Sequence, residues 1–261
     1  MKYNIPIPIK QEDIRFIIQS FEDGYYEYFE KEKEYPTVTH NGQGAAIWNH
    51  IFTQIEKHFK RDGYQVNKIK RGLWEVLYVY DESSKYLYTY MRYNNFFTVQ
   101  NKKPSDKLFY YGNVLSRLNG KLKGTYEPEY EQMCCFGLNN SIVDEETDKK
   151  LQELLAAMIS SINGEIELYA IVLVQQEKGK IKDIECKIPI ENLNSIYTES
   201  WIEYIGTSYE TDDYKFEIVD TQPEDSKILI SAKDDKIIPI STNIDISGKE
   251  DINKEEDREI K

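Results

Sequence analysis

Trp74-Glu75-Val76-Leu77-Tyr78-Val79-Tyr80, then Asp81-Glu82-Ser83-Ser84-Lys85, then Tyr86-Leu87-Tyr88-Thr89-Tyr90-Met91, carry the clearest secondary-structure signal in this chain of 261 residues. Two runs rich in valine, leucine and tyrosine flank a polar turn, which reads as a β-hairpin. In the first run Trp74, Val76, Tyr78 and Tyr80 alternate with Glu75, Leu77 and Val79, so this strand is apolar on both faces. A weaker strand is expected just before it, over residues 64–69.

Helical spacing appears upstream of the hairpin. Ile14, Ile17, Ile18 and Phe21 fall on one face of a helix over residues 11–21, and Gly24 is expected to end it. The run Tyr25-Tyr26-Glu27-Tyr28-Phe29 then reads as strand or irregular chain. After the polar loop from Thr37 to Gly44, the residues Ile47, Trp48, Ile51, Phe52, Ile55 and Phe59 stripe a second helix that closes at Gly63.

Downstream, residues 94–100 and 107–118 read as helices. A long helix over residues 144–162 has an acidic first turn of Asp144, Glu145 and Glu146, which suits the positive end of its dipole. Its apolar seam is Leu151, Leu154, Leu155, Met158, Ile159 and Ile162. A second hairpin joins residues 165–175 to 180–190 through Glu177-Lys178-Gly179. Trp201, Ile202 and Ile205 mark a short amphipathic piece, and residues 215–219 and 227–232 read as edge strands. The expected fold class is α+β, with helices packed on antiparallel β-hairpins in two halves; whether the halves share one core is left open. The halves are residues 1–140, with a basic middle, and 141–246, which are acidic. Residues 247–261 are expected to be a disordered charged tail.

Composition narrows the function classes. Mean hydropathy is −0.65, and no apolar run approaches the roughly 20 residues that span a bilayer. Ile5-Pro6-Ile7-Pro8-Ile9 is too short and too proline-broken for a signal-peptide core. Cys134, Cys135 and Cys186 cannot all pair, which suits a reducing compartment. These features predict a soluble, cytoplasmic protein without a membrane partner.

Net charge is −13 at pH 7, unevenly spread. Residues 1–56 carry −4, residues 57–123 carry +9, and residues 124–261 carry −18. The basic middle, with Lys68, Lys70, Arg71, Trp74, Tyr88, Tyr90, Arg92, Tyr93, Lys102 and Lys103, mixes cations with rings that can stack on bases. The alternative is that these rings fill a core. Between residues 191 and 225 there are 10 acidic groups and one lysine, Lys215. Such a display can imitate a phosphate backbone or simply confer solubility.

Catalytic patterns are sparse. His40, His50 and His58 are the only histidines, and there is no Gly-x-Ser-x-Gly elbow, Cys-x-x-Cys or His-x-x-x-His. Asp183, Glu185 and Lys187 share one face of a strand, as in magnesium nucleases of the restriction type, and equally as on any half-exposed strand. His40, Asn41, Gln43 and Asn49 surround a glycine turn opening a helix, where free N–H groups can hold an anion.

Three segments carry a family resemblance: Tyr35-Pro36 through Gly42-Gln43-Gly44 to Ile47-Trp48-Asn49, then Arg71-Gly72-Leu73-Trp74-Glu75, then Leu87-Tyr88-Thr89-Tyr90-Met91-Arg92. Over about the first 120 residues the chain resembles an uncharacterised family of low-GC Gram-positive bacteria and their phages. The resemblance implies an accessory gene borne by a phage or mobile element, and it lends no catalytic residue.

The resulting expectation is a non-enzymatic binding protein that acts by protein–protein contact. In its narrowest form it is an inhibitor of a bacterial defence or nucleic-acid enzyme. Its binding residues would be Arg71, Trp74, Arg92, Lys102 and Lys103 on the basic side and Glu210, Asp212 and Asp213 on the acidic side. No cofactor or metal is expected. The alternative is a nucleic-acid-binding protein using residues 57–123, and the third reading is a magnesium-dependent nuclease. Oligomeric state has no signal in the sequence.

Overall fold

In a computed structural model, which describes residues 7–71, 74–125 and 144–206, the hairpin lies inside a six-stranded sheet. The strands are β1 (Tyr64–Arg71), β2 (Trp74–Asp81), β3 (Tyr86–Arg92), β4 (Leu168–Glu177), β5 (Lys180–Pro189) and β6 (Ser195–Ser200), and they neighbour one another in chain order. All pairings are antiparallel except β3 with β4, which runs parallel from Tyr86↔Leu168 to Arg92↔Val174. That parallel pair joins strands from either side of residue 140 into one sheet.

Successive side chains of a strand point to opposite faces, and both faces here are covered. On the first face Leu77, Val79, Tyr88, Tyr90, Val172, Ile184 and Cys186 pack under α1 (Gln11–Glu34) and α2 (Gln43–Phe59). On the second face Val76, Tyr78, Leu87, Met91, Tyr169 and Ile171 meet α3 (Tyr93–Gln100), α5 (Tyr111–Leu115) and α6 (Glu145–Ile159). Parallel neighbours cannot be joined by a tight turn, and residues 93–167 supply the crossover that brings the chain from the end of β3 back to the start of β4. The fold is α+β, as expected.

Several local expectations change. The helix started by Ile14, Ile17, Ile18 and Phe21 does not stop at Gly24; α1 continues through Tyr25–Phe29 to Glu34. A Cβ on Gly24 would lie 2.6 Å from the Ile51 Cα, so this glycine is where α1 and α2 cross in backbone contact. Glycine here serves close approach rather than termination.

The helix expected over residues 107–118 is broken into α4 (Pro104–Lys107), α5 and a 3-10 stretch, Ser116–Thr125. Asn119 pins that stretch to the sheet. Its buried carboxamide donates to Tyr169 O and Pro189 O at 2.8 and 2.6 Å and accepts from Tyr169 N–H at 2.8 Å. Asp144 caps α6, its carboxylate accepting from Thr147 N–H at 2.7 Å. The expected edge strands over 215–219 and 227–232, and the tail from 247, lie outside the described residues.

Candidate interaction surface

The basic candidates of the middle segment are spread over several elements, and three of them, Lys68, Lys70 and Arg71, lie on β1. Lys68 and Lys70 are exposed on β1, and Trp74, which starts β2 opposite Arg71, is 41% exposed. The ladder between β2 and β3 covers only Tyr78–Asp81 against Tyr86–Thr89. From Trp74 to Leu77, β2 is therefore paired with β1 and not with β3. This part of the hairpin is a two-stranded ribbon on which Lys68, Lys70 and Trp74 are exposed, while Ile69, Val76 and Leu77 are buried.

Other candidates are placed elsewhere. Arg92 ends β3, with its guanidinium 5.9 Å from the Trp48 ring of α2. Lys102 and Lys103 follow the far end of α3, a helix of eight residues and so about 12 Å long. Tyr88 and Tyr90 are buried under α1 and α2, so they form core rather than a stacking platform. Burial holds both phenols well above their usual range. Glu210, Asp212 and Asp213 lie outside the described residues.

The Glu185–Lys187 pair is half-buried and turned in on itself. Lys187 Nζ lies 3.0 Å from Glu185 Oε1, donates to Thr198 Oγ1 at 3.2 Å and sits 5.8 Å from the Phe97 ring. Glu185 Oε1 has no hydrogen-bond donor, so the contact is ionic and poorly angled. A lysine held this way has its charge committed to neighbours. Among the described residues no three histidine, cysteine or acidic side chains converge as a metal site would require.

The glycine turn before α2 adopts the expected tight geometry, with Gly42 at φ +91° and the Ala46 N–H donating to Gly42 O at 3.0 Å. Beside it lies a shallow hollow lined by Tyr28, Lys31, Glu32, Glu34, Tyr35 and His50, among others. One of its lining carboxylates, Glu32, is engaged, and so is Glu27 beside it. Glu32 accepts from the Thr37 N–H and hydroxyl at 2.7 and 2.6 Å. Glu27, beside His50, is held down at about 2, chiefly because Lys31 donates to it and Gln54 adds a second bond. Carboxylates of this kind make poor neighbours for an anion.

A node that sequence patterns did not reveal ties the first layer together. Asp13, in the first turn of α1, has no exposure. Its carboxylate accepts from Arg61 Nη2 at 2.5 Å and Tyr64 Oη at 2.7 Å, and His58 Nε2 lies 2.9 Å away. Burial and the hydrogen bond to Asp13 push the Tyr64 phenol up to about 12. The available signal was a carboxylate at the i position of the stripe continued by Ile17 and Phe21. Arg61 and Tyr64 both donate to the carboxylate, which ties the first turn of α1 to the start of β1. Burial likewise pushes the Cys186 thiol well up, which leaves no thiolate at neutral pH.

With this geometry in view, the sequence match is informative. The chain belongs to a family of unknown function, DUF5986. The match covers residues 6–259 and so takes in all six strands and both helical layers, well beyond the first 120 residues. No curated protein and no solved structure matches the chain. Within this family member, no helix among the described residues is long and apolar enough to cross a membrane.

Proposed function

We propose that this protein works by binding another protein through the exposed residues of the β1–β2 ribbon, without catalysis. The observation that carries this reading is Trp74, a large ring 41% exposed on a strand whose Tyr78 and Tyr80 are buried. Tryptophan and arginine dominate the energetics of protein interfaces when a partner covers them. Lys68 and Lys70, exposed on the opposite face of the same ribbon, suit a partner with an acidic surface, which their field would also steer into contact. The narrower form, an inhibitor of a defence or nucleic-acid enzyme carried by a phage or mobile element, draws its support from the uneven charge of the whole chain.

Affinity capture from cells that carry the gene tests this reading. The expected result is a stoichiometric protein held by the wild type and lost with Trp74→Ala, while far-ultraviolet circular dichroism stays unchanged. Equal capture by Trp74→Ala would overturn the assignment of the surface. A salt-sensitive gel shift with DNA or RNA, abolished by Arg71→Ala plus Arg92→Ala, would instead establish the nucleic-acid reading.

A further inference from the structure

β1 forms one margin of the sheet and, among the described residues, pairs only with β2. Its hydrogen-bonding phase follows from a contact just before the strand. Glu82 N–H donates to Gly63 O at 3.0 Å, and these residues continue the register of Tyr64↔Asp81. Bonded and open pairs alternate along an antiparallel ladder. Gln65, Asn67 and Ile69 therefore bond inward to β2, while Val66, Lys68 and Lys70 turn their main-chain groups to the margin. Lys68 shows this directly, because its N–H donates to its neighbour's side chain, Asn67 Oδ1, at 2.8 Å.

The side chains of the margin-facing residues are equally informative. Val66 packs against the first-face core, and Lys68 and Lys70 are exposed. The ribbon's one carboxylate, Glu75, lies 2.9 Å from Lys68 Nζ and directly across from Lys70. Lys68 and Lys70 thus set two exposed cations against that one anion.

We propose that this margin takes an extended acidic segment of the partner protein by strand addition, pairing through Val66, Lys68 and Lys70. The inference rests on the binding reading above and names the recognition mode. Strand addition draws affinity from main-chain hydrogen bonds and specificity from alternate side chains. Alternate residues of the incoming strand fall beside Lys68 and Lys70, where carboxylates are favoured. The Asn67 carboxamide swings away and yields the Lys68 N–H. A second copy docked margin to margin would bring the lysines of both copies together, and like charges on adjacent strands are destabilising. Charge thus selects an acidic partner over self-association.

Fluorescence anisotropy on the full chain provides the test, with an eight-residue synthetic peptide alternating Glu and Thr set against one alternating Lys and Thr. The acidic peptide should bind, more weakly as salt rises, and the basic one should not. Compared with Lys70→Ala, which also loses the charge, Lys70→Pro removes one margin N–H while leaving the β2 ladder intact, a substitution that edge strands tolerate. It should weaken the acidic peptide about tenfold relative to Lys70→Ala. Lys68→Glu plus Lys70→Glu should abolish binding, and in the wild type the peptide should slow hydrogen exchange at the Val66 and Lys70 amides. Unchanged affinity in both variants would overturn strand addition while leaving contact at the ribbon standing. Binding of neither peptide to the wild type would also overturn it, with the binding reading then judged separately by Trp74-dependent capture. If Lys70→Pro does not fold, the charge-reversed variant and the exchange measurement decide.

Discussion

On the first face of the sheet, α1 and α2 bring Ile14, Ile17, Phe21, Ile51, Ile55 and Phe59 to almost no exposure, whereas on the second face α6 brings only Leu151 that far and leaves Leu155, Met158 and Ile159 partly exposed. Connectivity accounts for the contrast. The first layer is two consecutive helices joined by a short loop, free to pair with each other before meeting the sheet. The second layer is the crossover forced by the parallel β3–β4 pair, and it must return along the strands whatever its composition. Its path is broken into short helices and a 3-10 stretch, held by single polar anchors such as Asn119.

If the layers differ in this way, their charged contacts should differ most. Asp13→Ala removes the acceptor shared by Arg61, Tyr64 and His58 and leaves donors without a partner. It should cost about 3 kcal/mol in urea unfolding. Asp148→Ala in the second layer removes a partly exposed contact with Arg117 Nη2 at 2.5 Å, and should cost about 0.5 kcal/mol. Comparable losses would show that the second layer is held as rigidly as the first.

Truncating apolar side chains probes the same contrast with a somewhat smaller effect. Ile51 is fully buried at the α1–α2 crossing, and Ile51→Ala should cost about 2–3 kcal/mol because the cavity is walled by backbone and cannot collapse. Met158→Ala, on a partly exposed face, should cost less than about 1 kcal/mol. Equal midpoint shifts in parallel denaturant titrations would refute the packing difference.

The same contrast governs what could be read from the sequence. The β2–β3 hairpin and the α2 stripe were legible because their periods are long and uninterrupted. Gly24 misled because a glycine that permits helix crossing and one that ends a helix look alike until the partner helix is placed. β6 escaped because Ser195–Ser200 lacks apolar alternation, its residues being at most half-buried. Within the candidate surface, the same alternation covers Trp74, Tyr78 and Tyr80, yet only the first reaches solvent. Strand position decides that exposure, and periodicity is blind to it. The Asp13 node brings His58, Arg61 and Tyr64 to a carboxylate 45 to 51 positions earlier in the chain, which no local pattern encodes.

The smallest expected effect is also the one whose sign differs between the faces. On the second face Tyr169 Oη and Thr89 Oγ1 share a buried hydrogen bond of 2.7 Å, and Tyr78 Oη reaches Ser161 Oγ at 2.6 Å. On the first face the Tyr88 and Tyr90 hydroxyls are buried without a hydrogen-bond partner. Tyr169→Phe strands the Thr89 hydroxyl and should cost about 1–2 kcal/mol, because an orphaned buried group carries its full desolvation penalty. By the same reasoning Tyr90→Phe removes a group that already carries that penalty, while its ring continues to fill the space. It should leave stability unchanged or raise it by up to about 1 kcal/mol. A loss on Tyr90→Phe matching that of Tyr169→Phe would mean that the first-face hydroxyls are satisfied after all. The tightly packed layer would then tolerate its polar atoms by pairing them, as the crossover layer does, rather than by the strength of the apolar burial around them.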